Sequence, residues 1–315
     1  MVSVIIATYN RCNLLKRAIE SVLRQTYKNY EIIIIDDASS DDTYKIINDS
    51  FKPFIDKGTI RYYRNETNKE RSFCRNLGME EARGGRFAFL DDDDEWLPNH
   101  LENLVKFLDD NYEVGVAFSN CYEVFEDGRK RLFWHKIKTG KGVYYKDLCI
   151  DRCFVTGSAY IIRKEVYIKL GGFKEGLEPA EDREYLARIA MSYNVGYSSI
   201  PTVYKYTHSG SYAHSRSQKE LAFTREKIWH AIQENSQKFS YPIKPRVRCR
   251  WLLHLSINFL PDLDKTKYYL IEAAKTYPLC LSWMSTWRLL LKVIVGKRVY
   301  SFLKMRKTMI NKRKK

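Results

Sequence analysis

The first 110 residues repeat one pattern: a short run of branched apolar residues, a polar turn, then an amphipathic helix. Few folds accept it. Residues 2–7 are such a run, and Leu14, Leu15, Ala18, Ile19, Val22 and Leu23 follow at helical spacing, with Asn13 as the expected cap. Residues 31–35 predict a second strand ending in Asp36 and Asp37, and Ser40 or Asp42 is expected to cap the next helix. Residues 60–63 predict a third strand, 72–83 a helix and 86–90 a fourth strand. Pro98 then marks the expected start of a helix with Leu101, Leu104, Val105 and Leu108 along one face. Strands that are nearly all apolar, separated by such helices, imply a parallel sheet covered on both sides. The expected class is α/β.

Beyond this repeat the pattern is mixed. Strand-like stretches at 114–119, 159–162 and 203–206 surround one clear helix at 181–192, with Glu181 and Asp182 in its first turn. From residue 216 the chain reads as helical, with candidates at 219–238, 248–260 and 265–276. The charge divides at the same place. Of 54 Lys and Arg, 23 lie in residues 216–315 against only 6 of the 38 Asp and Glu. The remaining 215 residues are close to neutral, so the net charge of +16 belongs to the last third. Seven cysteines with no paired C-x-x-C spacing argue against a disulfide framework or a zinc site and suggest a reducing cytosol. The expectation is a cytoplasmic protein without a secretory signal, since an apolar strand starts almost at once.

In an open parallel sheet, ligands bind beyond the carboxyl ends of the strands. Thr8-Tyr9-Asn10-Arg11, Asp36-Asp37 and the acidic run Asp91-Asp92-Asp93-Asp94 all fall at such ends. The chain has neither G-x-G-x-x-G nor G-x-x-x-x-G-K-[ST], which weakens dinucleotide oxidoreductase and P-loop readings. Without a glycine-rich cradle, clustered carboxylates can meet a diphosphate only through a bridging hard cation, Mn²⁺ or Mg²⁺. Each piece has a plainer reading. The acidic run and Asp182 could be dipole-favoured groups at helix N-termini, Asp37 a cap and Tyr9 ordinary packing.

Six pieces in order carry a resemblance: V-S-V-I-I-A-T-Y-N-R, E-I-I-I-I-D-D-A-S-S-D-D-T, C-R-N-L-G, F-L-D-D-D-D-E-W-L-P, G-G-F and A-E-D-R-E-Y-L-A-R. Over residues 1–215 the chain resembles a family 2 glycosyltransferase. The resemblance implies a GT-A, Rossmann-like and mainly parallel sheet flanked by helices, followed here by a helical basic C-terminal region. It also implies a nucleotide-sugar donor (most often a UDP-sugar), a divalent metal and inversion at the anomeric carbon. Carried over residue by residue, Thr8 and Tyr9 would hold the nucleoside and Asp37 the uracil ring. Asp91 and Asp93 match the outer positions of a D-x-D metal motif, with Asp92 beside the donor. Arg75 and Asn76 would line the donor side. Asp182 would be the general base, and His208 stands where some members place a metal or diphosphate ligand. Residues 1–110 would then be the donor half, 111–215 the acceptor half with the base, and 216–315 the basic helical region.

The acceptor implied is a glycan or lipid-linked glycan. Transfer straight to a polyprenyl phosphate is the alternative, but that branch usually carries Asn-Glu after the first strand where this chain has Asn10-Arg11. A non-catalytic sugar-nucleotide or polyanion-binding protein is the alternative from another class. In the tail, Trp283, Trp287, Leu290, Leu291 and Ile294 recur at helical spacing among Arg288 and Lys292. Residues 281–315 contain no acidic residue, which suits an anionic membrane surface and peripheral attachment. Nucleic-acid binding lacks a reader motif.

Overall fold

The computed structural model describes residues 1–133, 140–142, 156–178, 181–207, 217–240, 242–259 and 262–282. Strands β1 (Val2–Thr8), β2 (Tyr30–Asp36), β3 (Ile60–Arg64) and β4 (Arg86–Phe89) run parallel, with β1 between β2 and β4 and β3 outside β2. Helices α1 (Cys12–Leu23), α2 (Thr43–Asp56) and α3 (Glu70–Glu80) make the crossovers. This is the alternation read from the sequence.

The next elements are β5 (Glu95–Trp96), α4 (His100–Asp109), β6 (Val114–Phe125), β7 (Lys130–Leu132) and β8 (Gly140–Gly142). A 3₁₀ turn at Gly157–Ala159 leads into β9 (Tyr160–Arg163), then α5 (Lys164–Leu170), α6 (Glu181–Ala190) and β10 (Asn194–Thr207). All ten strands join one sheet in the order β3-β2-β1-β4-β9-β6-β10-β5, with β7 on β6 and β8 on β10. β9 runs antiparallel between β4 and β6, pairing Ala88 with Ile161 and Ile161 with Ala117. That direction brings its first residue, Tyr160, to the carboxyl end of β4, where the acidic run begins. The fold is mixed α/β.

Val4, Ile6, Ile32 and Ile34 on the sheet and Leu15, Ala18 and Leu104 on the helices are fully buried in one core. Each of the larger side chains contributes about 1.5–3 kcal/mol by leaving water. An exposed pair such as Lys52–Asp56, with side chains 67% and 58% accessible, contributes at most about 0.5 kcal/mol. Apolar burial therefore holds the sheet. The glycine of C-R-N-L-G has a packing reason, since a Cβ on Gly78 would stand 2.4 Å from Ile5 Cγ2. The close approach lays α3 on β1 and sets Arg75, nearly one turn earlier, over the carboxyl ends of the strands.

Three local expectations need correction. Asn13 does not cap α1: the helix begins at Cys12, whose backbone N–H donates to Asp41 Oδ2 at 3.0 Å. Neither Ser40 nor Asp42 caps α2 through its side chain; Asp41 accepts from Thr43 N at 3.0 Å instead. The helix after Pro98 starts two residues later, at His100, because residues 95–96 first pair with β10.

The chain divides into two units, Met1–Ser215 and Arg216–Lys315. The second contains α7 (Gln218–Lys238), α8 (Pro245–Asn258) and α9 (Leu263–Thr276). Ser217 and Glu220 form a reciprocal capping box on α7, Pro245 opens α8, and Asp262 accepts from Lys265 N at 3.1 Å to cap α9. Trp229 and Trp251 stack at 5.5 Å and are buried. The basic tail beyond residue 282, with Trp283 and Trp287, lies outside the described residues. Among those described, no helix is long and apolar enough to cross a membrane.

Candidate active site

The loops after β1 and β2 are stitched together by Asn10. Its backbone takes the left-handed region at φ 53°, which Asn tolerates better than most residues. Its Oδ1 accepts from Ser40 N at 2.7 Å, and its own N–H donates to Ser39 Oγ at 2.9 Å. The two loops thus form one wall of a cavity lined by Ala7, Thr8, Tyr9, Arg11, Asp37, Asn68, Glu70, Arg71, Cys74, Asp92 and Glu178. Four residues singled out for the donor, Thr8, Tyr9, Asp37 and Asp92, meet here. Tyr9 is 48% exposed and borders the cavity.

The paired aspartates after β2 divide by direction. Asp36 is fully buried and accepts from Tyr62 OH at 2.5 Å and Ser39 N at 2.9 Å, which is a structural role. Asp37 reaches the cavity wall. Its oxygens accept from Asn65 Nδ2 at 2.8 Å, Lys69 N at 2.8 Å and Glu70 N at 3.0 Å, anchoring the start of α3. Glu70 is held there at φ 72°, a conformation costing a non-glycine residue about 1–3 kcal/mol.

The four aspartates of the acidic run also face different ways. Asp92 accepts from Thr8 Oγ1 at 2.8 Å and from Arg11 Nη1 at 3.0 Å, and Asp93 accepts from the same Arg11 nitrogen at 3.0 Å. Asp94 is buried, accepting from Ser158 Oγ at 2.5 Å and Tyr206 N at 3.1 Å. Asp91, Asp93 and Asp94 each offer a carboxylate oxygen within 4.8 Å of the others. Burial, reinforced by Asp93, pushes Asp92 up to about 6. Burial together with Asp93 and Asp91 pushes Asp94 up to about 7 despite the opposing Lys205 ammonium. Asp91 goes the other way: burial would raise it, but Arg75 and Arg71 outweigh that and hold it down at about 2. An all-oxygen set under mutual repulsion suits a hard divalent cation, which would relieve the repulsion. The residues present fit Mn²⁺ or Mg²⁺. The structure adds Asp94 to the pair Asp91 and Asp93 and turns Asp92 toward the cavity.

Arg75 ties this run to the candidate base. It is 2% exposed; Nη2 donates to Asp91 Oδ1 at 2.7 Å, and Nη1 donates to Glu181 Oε1 at 2.8 Å and Asp182 Oδ1 at 3.2 Å. One guanidinium therefore sets the separation between residues 91 and 182, although they lie far apart in the chain. Gly157 makes room for it: a Cβ there would stand 2.6 Å from Arg75 Nη2. Glu181 is fully buried, with Arg71 Nη1 a further 3.6 Å partner, and burial followed by Asp182 raises its proton affinity. Asp182 is the more accessible acid, its side chain 17% exposed at the mouth of α6.

Asn76 stands elsewhere. It clamps the turn before α6, with Oδ1 accepting from Phe173 N at 2.8 Å and Nδ2 donating to Phe173 O at 3.0 Å, and it does not line the cavity. Arg75 also lies behind the cavity wall rather than in it. His208 falls outside the described residues. Arg71, Glu178 and Tyr160 were not singled out from the sequence, and Arg11 was named only as part of the polar run after the first strand. Only Arg11 had a signal, its place directly after Asn10 at the end of β1. Arg71 reaches the site from α3, Tyr160 through the direction of β9 and Glu178 from the segment before α6, placements that no local pattern encodes.

Residues 3–171, more than half of the chain, match glycosyl transferase family 2. An Escherichia coli protein, UDP-Glc:alpha-D-GlcNAc-diphosphoundecaprenol beta-1,3-glucosyltransferase WfaP, is 40% identical over 122 residues. That match covers 39% of this chain and 46% of WfaP, so the shared part is less than half of that relative. Staphylococcus aureus TarS 1–349 in complex with UDP-GlcNAc superposes with a TM-score of 0.61 at 18% identity, covering 88% of this chain and 89% of that one. The mannosyltransferase PcManGT from Pyrobaculum calidifontis, in complex with GDP-Man and Mn²⁺, gives a TM-score of 0.59 at 18% identity over 93% of this chain and 86% of that one. At such identities the two structures speak for the GT-A fold. With the family match covering more than half of the chain, the chain belongs to glycosyl transferase family 2.

Proposed function

We propose that the protein transfers a sugar from a UDP-sugar to a hydroxyl of a lipid-linked glycan, with inversion, by single displacement. The observation that carries this reading is the Arg75 bridge, which holds Asp182 beside the carboxylate cluster with Asp182 Oδ2 free of hydrogen bonds among the described residues. The acceptor oxygen bonds to the anomeric carbon as the carbon–oxygen bond to the diphosphate breaks. The electron pair leaves with UDP, and Asp182 Oδ2 takes the hydroxyl proton. Thr8, Tyr9 and Asp37 border the nucleoside end, while Arg11 and Arg71 bring positive charge to the cavity wall. Asp91 and Asp93, with Asp94, would hold a divalent cation, which when bound neutralises charge on the departing diphosphate.

The donor and acceptor classes are supported by the name of WfaP, which pairs a UDP-sugar with a diphosphoundecaprenol-linked sugar. On this reading residues 1–110 hold the donor, 111–215 face the acceptor and supply the base, and 216–315 form a basic helical appendage. A screen of UDP-, GDP- and dTDP-sugars by nucleotide release, with and without Mn²⁺, tests the proposal. The expected result is UDP release from at least one UDP-sugar, dependent on the cation and increased by a GlcNAc-diphospholipid. No release from any donor, or release unaffected by chelation, would refute it.

A further inference from the structure

We propose that Tyr160 is a positioning residue for the base: its phenol pins one oxygen of Asp182 so that the other is presented to the acceptor. The inference rests on the reading of Asp182 as the base. Tyr160 is fully buried at the start of β9, and its OH donates to Asp182 Oδ1 at 2.6 Å. Arg75 Nη1 donates to the same oxygen at 3.2 Å. Two donors thus converge on Oδ1, and Oδ2 has none among the described residues.

A carboxylate free to rotate about its Cβ–Cγ bond exchanges its two oxygens. A base in that state presents its lone pairs in the reactive geometry for only part of the time. A proton acceptor works within about 2.6–3.2 Å of the proton's heavy atom. A displacement of about 1 Å can lower the rate about 10²-fold. Asp182 is partly exposed, so packing alone does not stop the rotation. The Tyr160 ring itself is fixed by Phe89, 5.4 Å away, which in turn meets Phe173 at 5.3 Å. Burial and the adjacent Asp182 carboxylate raise the phenol well above its ordinary range, so it stays a donor. The antiparallel course of β9 is what delivers this hydroxyl to the acidic end of β4.

The opposing explanation is that the phenol needs a partner simply because it is buried. A double-mutant cycle separates the two, using release of UDP from UDP-glucose, or from the UDP-sugar the donor screen selects. Tyr160→Phe keeps the ring and removes only the donor. It is expected to lower kcat about 10- to 100-fold, with donor KM and UDP binding changed by less than about twofold. In an Asp182→Ala background the same change is expected to have no further effect, because a residue acting through Asp182 has nothing left to position. Unchanged kcat in Tyr160→Phe would overturn the proposal. So would an equal further loss in the Asp182→Ala background, which marks a purely structural role. Failure of the underlying reading looks different, since Asp182→Ala itself would then retain full turnover. UDP binding by each variant confirms that it is folded.

Discussion

Replacing Arg75 by methionine is expected to destabilise the first unit by about 3–5 kcal/mol, the range for removing one partner from a buried ion network. Methionine fills a similar volume but leaves Asp91 and Asp182 without their shared partner, and Glu181 with only the longer contact from Arg71. Glu181 is the most costly of the three. It is fully buried, and its Oε2 has no hydrogen-bond partner among the described residues. At about 2–4 °C per kcal/mol for a unit of this size, the melting temperature should fall by roughly 6–20 °C. Arg75→Lys should recover only part of the loss, because one ammonium cannot occupy both guanidinium nitrogen positions. Denaturant midpoints of the three proteins provide the check. A loss below about 1 kcal/mol for Arg75→Met would mean that the network is solvated and that the bridge does not position the base.

Asp182→Ala is expected to lower turnover about 10²–10⁴-fold, the usual contribution of a general base. UDP binding in the presence of Mn²⁺ should change by less than about twofold, because Asp182 is not among the residues that line the cavity. The pairing of a large kinetic effect with an unchanged binding constant is the signature of proton transfer. Loss of nucleotide binding in parallel with turnover would instead make Asp182 a donor-holding residue. Full turnover in the variant would remove it from the mechanism.

Much of this fold was legible because its first half obeys local rules. The strands of residues 2–8 and 30–36 are nearly continuous apolar runs, and the helices between them show one apolar stripe each, so period and length suffice. Cap identities were less legible. Asp41, Ser40 and Asp42 are comparably good cap formers, and the choice depends on where the β1 loop passes, since Asp41 serves Cys12 as well as Thr43. The acidic run was legible as a cluster of carboxylates at a strand end but not in its internal division. Whether Asp92 or Asp94 joins the cluster is decided by Thr8 and Arg11 on one side and Ser158 on the other. Arg75 was visible as a motif residue without a contact. Its partners come from two separated segments, residue 91 and residues 181–182, so its role depends on tertiary structure. Asn76 shows the opposite hazard: adjacent to Arg75 in the motif, it points to Phe173 and has a packing role. Tyr160, one of 23 tyrosines, had no distinguishing signal at all.

If the carboxylate cluster beside the cavity holds a cation that helps bind the donor diphosphate, UDP affinity must depend on that cation and on Asp93. Calorimetric titration of UDP into the full chain, with Mn²⁺ and with chelator, tests this most directly when run on the wild type and on Asp93→Ala. Mn²⁺ is expected to tighten UDP binding by at least about tenfold in the wild type, about 1.4 kcal/mol, and Asp93→Ala to lose this gain. Equal UDP affinity with Mn²⁺ and with chelator, or a gain that survives Asp93→Ala, would contradict it.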